Sequence, residues 1–322
     1  MIERVLAIVV TYNPDCGPLS DALSELIKQG CKVVVVDNGS NNLSEIENAA
    51  SAISSDSPAD SLLVMPQPYN VGLGAAHNVG IQHAKAEGYN YVLIMDQDSL
   101  PLEHMLENLV SAHKAKSSNS KVSAVGVSYL NSDNGSESFF VRFGALKFAR
   151  HYCCDKDSDG CLQADFLISS GSLIAVAAIE SIGEMDEGLF IDHVDTEWFL
   201  RAKHKGYKAY GVCAAVMRHG LGEQTHRVSL GGRQRNVPQH KSFRYYYIFR
   251  NSVLLYKRGY PSGLWKWNDI QRLGMIAVMF GLCKAPRRAN ASMMLKGLWH
   301  GLLGKQGPLA VNAALESEVG DG

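Results

Sequence analysis

The first hundred residues alternate short apolar runs with amphipathic stretches. Val5–Val10 is β-branched and apolar, and Asn13-Pro14 stops it. Leu19–Gln29 has apolar residues at helical spacing and closes at Gly30. Val33–Val36 is four valines running into Asp37-Asn38-Gly39-Ser40. Uninterrupted apolar strands of this kind suit a parallel sheet covered on both faces. Ser61–Met65 and Tyr91–Met95 read as further strands, and Ala75–Ala86 as a helix behind Asn70-Val71-Gly72-Leu73-Gly74. The series predicts an α/β fold with an open, doubly wound, mostly parallel sheet. Ligands of such sheets bind beyond the carboxyl ends of the strands. Three of those ends carry polar clusters here: Thr11-Tyr12-Asn13, Asp37-Asn38-Gly39-Ser40 and Asp96-Gln97-Asp98.

Further along, Ser117–Ser120 and Asn131–Ser138 read as polar loops, Leu167–Val176 as an apolar segment broken by serines, and Thr196–Lys205 as a helix closed by Gly206. A basic, glycine-rich stretch, Gly220–Gln239, precedes an aromatic segment at Phe243–Tyr247 and a helical remainder to Leu303. The longest uncharged apolar run of that remainder, Leu273–Cys283, is too short to span a bilayer.

Composition adds little until it is divided along the chain. Over 322 residues, 46% are apolar, enough for a large core, and the formal charge of −1 gives no reason to expect nucleic acid. Between Lys241 and Lys305, however, there are twelve Lys or Arg and one acid, Asp269. Basic residues interleave there with Trp265, Trp267, Phe280 and Trp299, a composition suited to an anionic membrane surface, a basic helical cap or an oligomer interface. Seven scattered cysteines, an odd number without a framework, point to a reducing compartment and buried structural thiols. Met1–Val10 lacks the features of a signal peptide, so a cytoplasmic location is expected.

Five places carry candidate chemistry. Asp96-Gln97-Asp98 sets two carboxylates one residue apart at a strand end, where they can share a hard cation such as Mg²⁺ or Mn²⁺; a solvated turn is the alternative. Asp37 is positioned to accept hydrogen bonds from a nucleotide or to cap a turn. No Gly-x-Gly-x-x-Gly follows the first strand, which argues against a nicotinamide or flavin enzyme. Gly72 and Gly74 permit close backbone approach to a ligand, or mark a plain helix start. Asp192-His193-Val194-Asp195-Thr196-Glu197 packs four titratable groups into six residues at a helix start. Capping explains part of it, and Asp195 suits a general base. His219, after Val212–Val216, suits either a structural role or an added metal ligand.

Taken in order, Val-Val-Thr-Tyr-Asn at 9–13, Val-Val-Asp-Asn-Gly-Ser at 35–40, Asn-Val-Gly-Leu-Gly-Ala-Ala-His-Asn at 70–78 and Asp-Gln-Asp-Ser at 96–99 resemble the inverting family 2 glycosyltransferases of the GT-A fold. Phe166–Gly171, Leu189–Glu197 and Arg244–Tyr247 with Arg250-Asn251 are similar to the bacterial rhamnosyltransferase branch, which serves O-antigen and rhamnolipid synthesis. The resemblance covers roughly residues 4–255. It implies a catalytic domain over 1–240, with a nucleotide-sugar half to about residue 100 and an acceptor half after it. A helical extension over 241–322 is then left for a membrane surface or a second copy.

The resemblance further implies donor contacts from Thr11, Asn13, Asp37, Asn38, Asn70, Gly72, Asn78, Asp96 and Gln97. It implies a divalent metal on Asp98, with Asp96 and His219, and Asp195 as base. Asp192, Glu197 and Arg250 would tune the base or meet the acceptor. Many relatives have Glu-Asp where this chain has Val194-Asp195, so any assisting acid comes from elsewhere. The expected reaction moves L-rhamnose from dTDP-β-L-rhamnose to a glycan or lipid-linked hydroxyl. The rivals are a UDP-hexose donor, a nucleotidyltransferase and a non-catalytic sugar-nucleotide-binding protein. The loop carrying Gln224 and Arg227 is a candidate cover for the donor.

Overall fold

The computed structural model describes residues 4–131, 138–143, 148–153, 160–219, 225–230 and 233–310. Along the chain the elements are β1 (Val5–Thr11), α1 (Cys16–Lys28), β2 (Lys32–Asp37), α2 (Leu43–Ser55), β3 (Leu62–Pro66), α3 (Leu73–Ala86), β4 (Tyr91–Asp96), β5 (Ser99–Pro101), α4 (Met105–Ser117) and β6 (Val122–Asn131). There follow β7 (Phe140–Phe143), β8 (Phe148–His151), β9 (Cys161–Ala164), β10 (Ser172–Ala175), α5 (Val176–Ile182), α6 (Val194–His204) and β11 (Lys208–His219). The chain continues through β12 (Thr225–Leu230), β13 (Arg233–Pro238), α7 (Ser242–Tyr256), α8 (Gly263–Ile276), a π-helical segment Ala277–Cys283 and α9 (Arg287–Leu302).

The four-valine strand shows how the layers form. Val33 and Val35 point to one face of the sheet, where they join Leu19, Leu23 and Leu26 of α1, Ile46 of α2 and Leu109 of α4. Val34 and Val36 point to the other, against Ala76 and Ile81 of α3, Ile179 of α5 and Trp198 of α6. Both faces are thus buried, the condition under which a strand carries no polar alternation. The sheet runs β3-β2-β1-β4-β10-β6-β11-β5, with β9 alongside β11. β1–β4 are mutually parallel and β11 is parallel to β6, whereas β10, β5 and β9 run against their neighbours. The fold is therefore α/β with a mostly parallel central sheet, and the carboxyl ends of β1–β4 share one edge.

Two findings differ from the sequence reading. The glycine-rich stretch contains a hairpin, β12 paired with β13, and Arg227 sits in it opposite Asn236; Gln224 lies outside the described residues. Cys153 and Cys213 form a disulfide, Cα–Cα 5.5 Å, that ties the end of the β7–β8 hairpin to β11. Cys31 and Cys161 are the buried thiols that were expected, but Cys16 is half-buried and Cys283 exposed. Sequence spacing could not pair residues 60 apart that only the register of β11 brings together.

The helices after residue 240 pack into the body. Leu254 and Leu255 of α7 and Trp265 of α8 belong to the same buried cluster as Trp198 and the sheet. Among the described residues, no helix is long and apolar enough to cross a membrane.

Candidate active site

The ends of β1 and β2 are locked together by one carboxylate. Asp37, fully buried, accepts from Thr11 Oγ1 at 3.0 Å and from both the hydroxyl and the backbone N–H of Ser40. Thr11 is buried as well. Both were expected to contact the donor; in the structure they satisfy each other, because a carboxylate buried without donors is costly. Asn13, half-buried with φ +47°, donates its N–H to Ser40 Oγ at 2.8 Å and accepts from Asn41 N at 2.8 Å. Gln97 reaches from the end of β4 to the backbone of Tyr12, accepting its N–H at 2.7 Å. Asn38 and Asn70 hold each other at 3.2 Å, and they accept from the Val71 and Gly72 N–H groups respectively.

The glycine loop has an unexpected neighbour. Gly72, φ +92°, admits no side chain: a Cβ there would sit 2.6 Å from the Phe190 ring and 2.9 Å from Phe190 O. Leu73 N donates to that same carbonyl at 2.6 Å. Asn78, buried one turn on, exchanges hydrogen bonds with the Met185 backbone at 2.9 and 3.0 Å and donates to Glu187 at 2.8 Å. Gly72 and Asn78 thus fasten α3 to the segment 185–190, which leads into Asp195.

The segment is strained as well as fastened. Phe190, Asp192 and His193 all have positive φ, 66°, 61° and 63°. Non-glycine residues hold such angles at a cost of about 1–3 kcal/mol each, and only where surroundings enforce them. The enforcement comes from α7. Asn251 Nδ2 donates to the carbonyls of Leu189, Ile191 and Asp192 at 3.0, 2.8 and 2.9 Å. Arg250, fully buried, donates to Leu189 O at 2.8 Å, to Gly188 O at 3.3 Å and to Gly307 O. Arg250 thereby holds the backbone around Leu189 in place. Arg250→Met is expected to destabilise the protein by at least ~3 kcal/mol, since a charged donor to one buried and two part-buried carbonyls is lost. Thermal denaturation checks this; a melting temperature unchanged from wild type would contradict it.

At the start of α6 the acids separate by environment. Asp195 is half-buried and accepts from Thr196 N at 2.6 Å. Desolvation pushes its carboxyl above the usual carboxylate range, with the Asp192 charge adding to the rise and the Thr196 hydrogen bonds opposing it. Asp192 pairs with Arg244 at 2.7 Å. Glu197, one turn on, is buried and consumed by Arg201 at 2.9 Å, Arg258 at 3.1 Å and the Tyr260 hydroxyl. Asp192 thus acts electrostatically on Asp195, whereas Glu197 is engaged by its three partners. His193 is held neutral, its pKa lowered to about 4 by burial and by Arg272, whose Nη2 donates to Nε2 at 2.9 Å.

The third cluster lies on the turn from β4 to β5, two strands that pair with different neighbours. Asp98 is exposed and Asp96 half-buried. Ser170 braces this turn, donating to Ser99 Oγ at 2.8 Å and accepting from Asp96 N at 3.0 Å. Sequence reading missed that role, although Ser169-Ser170-Gly171 breaks an otherwise apolar run. The backbone of His219 stands opposite Ser99 in the β11–β5 ladder, beside that turn; its side chain lies outside the described ones. Among the described residues, no three His, Cys, Asp or Glu side chains group as a metal site. Two hard carboxylate donors at an open strand end do fit Mg²⁺ or Mn²⁺, which completes its shell with water and substrate phosphate oxygens.

The chain is similar to known proteins in sequence and in fold. Residues 6–178 match the family described as Glycosyl transferase family 2. The chain is 28% identical over 267 residues to dTDP-rhamnosyl transferase RfbF of Shigella flexneri, covering 81% of this chain and 82% of that one. Its fold is similar to GalNAc-T7, crystallised with UDP, GalNAc and Mn²⁺, at TM-score 0.60 and 15% identity. That match covers 94% of this chain, which spans 56% of the GalNAc-T7 chain. It is also similar to the mannosyltransferase PcManGT of Pyrobaculum calidifontis, in complex with GDP-Man and Mn²⁺, at TM-score 0.55 and 15% identity, over 94% of this chain and 88% of that one.

Proposed function

This chain belongs to glycosyl transferase family 2, and from that premise we propose that it transfers L-rhamnose from dTDP-β-L-rhamnose to a hydroxyl of a glycan or lipid-linked glycan, with inversion. The donor follows the relative named as a dTDP-rhamnosyl transferase. The main structural support is that the Asp195 loop is bolted through Phe190 and Leu73 to the sheet edge where β4 ends in Asp96-Gln97-Asp98.

Asp195 accepts the proton of the acceptor hydroxyl. The hydroxyl oxygen attacks the anomeric carbon, the bond from that carbon to the diphosphate oxygen breaks, and dTDP leaves. One displacement turns the β-configured donor into an α-rhamnoside. Asp98, with Asp96 and His219, would hold a divalent cation, which neutralises charge on a departing diphosphate when bound. Asn13, Gln97, Asn38 and Asn70 line the donor side, on the floor made by Thr11 and Asp37. The working location is cytoplasmic, at the inner face of the plasma membrane.

A donor screen tests the assignment. With Mg²⁺ present, dTDP-rhamnose at about 100 times its Kd stabilises by ~2.7 kcal/mol, several degrees of melting temperature. Larger shifts with UDP-hexoses than with dTDP-rhamnose would overturn the donor.

The raised carboxyl of Asp195 sets the pH behaviour. A base works only when deprotonated, so activity is lost as pH falls through its folded-state pKa. Because burial raises that pKa, the acid limb of kcat/KM is expected above the ordinary Asp value of about 3.9. A profile flat down to that value would contradict Asp195 as the base.

A further inference from the structure

The four aromatic residues singled out in the basic carboxyl-terminal third divide in the structure. Trp265 and Phe280 are core, 3% and 1% exposed, whereas Trp267 and Trp299 stand 59% and 61% exposed. They are not isolated. Among the described residues eleven large apolar side chains are exposed, and eight of them fall between residues 267 and 303: Trp267, Ile270, Val278, Leu282, Leu295, Trp299, Leu302 and Leu303. Scattered singles would need no explanation, but this concentration does. On α9 the steps from Leu295 to Trp299 to Leu302 are four and three residues, one helical stripe. Exposed Gly274 bridges Ile270 to Val278 in the same rhythm on α8 and the π segment.

The two stripes lie on oppositely directed helices, α9 packing against α7 and the π segment that continues α8. Lys257, just past α7, donates to Gly301 O at 2.9 Å and to Leu302 O at the end of α9, and Lys266 of α8 donates to Tyr256 O at 2.7 Å. At the other end Asn290 of α9 donates to Phe280 O at 3.0 Å. Among the described residues from 266 to 305 the exposed charges are of one sign: Lys284, Arg287, Arg288 and Lys305 are exposed, Lys296 is half-buried, and the one acid of that span, Asp269, is buried against Arg272.

We propose that this face of α8, the π segment and α9 is a docking surface for an anionic lipid bilayer, with the apolar stripes entering the interface and the cations meeting lipid phosphates. A second copy is the weaker occupant. A two-fold contact sets a surface against itself and would bring the same cations together without counter-charge. An anionic bilayer supplies both the apolar layer and the charge, at about fivefold in affinity per cation near the surface. The surface stands on its own residues and is independent of the donor assigned above, so a wrong donor would leave it intact.

The test is flotation of the full chain with phosphatidylcholine vesicles and with vesicles of phosphatidylcholine and phosphatidylglycerol. The protein is expected to float with the anionic vesicles only, and to be released by high salt. Trp267→Ser with Trp299→Ser, and separately Lys284→Glu with Arg287→Glu and Arg288→Glu, are each expected to lower binding at least about tenfold. These positions are on the surface, and an unchanged circular dichroism spectrum certifies the fold. Two results would overturn the proposal: wild-type protein that stays at the bottom with anionic vesicles, or a dimer in solution that the tryptophan pair dissociates while flotation is unaffected.

Discussion

Asp195→Asn is expected to lower kcat by about 10²–10⁴-fold, the usual contribution of a positioned general base, while dTDP binding stays within about twofold of wild type. The amide keeps the shape of the carboxyl and can still accept from Thr196 N, so the start of α6 is retained. The accompanying change in stability separates lost chemistry from lost fold. A carboxyl whose folded-state pKa is raised contributes stability that is present at low pH and lost as pH rises through that pKa. At neutral pH the ionised, partly desolvated Asp195 is therefore a burden on the native state, and the neutral Asn removes it. The variant should melt no lower than wild type. Calorimetry with dTDP, a melting curve and initial rates check the three parts; near-wild-type turnover, or a melting temperature lowered by several degrees, would contradict them.

Asp98→Ala is expected to fail differently. Loss of a carboxylate that holds the cation removes several kcal/mol of transition-state stabilisation, about 10³-fold in rate. Because the same cation would bridge to the diphosphate, metal-dependent dTDP affinity should fall too, unlike in Asp195→Asn. Chelation of the wild type should reproduce the loss, and added Mg²⁺ or Mn²⁺ should restore it. Activity and dTDP affinity that both ignore chelator would remove Asp98 from the metal role.

The two acidic clusters can thus be separated by experiment, and the sequence already told them apart by position. The alternation of β-branched runs with helical spacing was legible because β1, β2 and β4 are buried on both faces, while β3 lies at the sheet edge with Leu63 exposed. The polar ends of those strands were legible because they break the apolar runs abruptly. What each polar residue touches was not legible. Asp37 and Thr11 look like ligand-facing groups until the parallel register of β1 and β2 turns them toward each other. Asn78 and Met185 are 107 residues apart, and no local pattern announces their mutual hydrogen bonds. Ser170 under Asp96, and Arg250 and Asn251 under the strained 188–192 segment, are of the same kind: partners defined by tertiary packing. The aromatic residues of α8 were within reach of sequence reasoning. Trp265, Asp269, Leu273 and Ile276 keep a four-four-three spacing and form the buried stripe, which leaves Trp267 and Ile270 outward.

The stereochemical outcome tests the central claim most directly. Wild-type protein, dTDP-β-L-rhamnose and Mg²⁺ can be followed by proton NMR, with a glycan acceptor or with water as a slow acceptor. A single displacement assisted by Asp195 predicts that the first-formed rhamnose product is α-configured and that Asp195→Asn slows its appearance by about 10²–10⁴-fold. A first-formed β product, or the α product at undiminished rate in Asp195→Asn, would contradict the proposed chemistry.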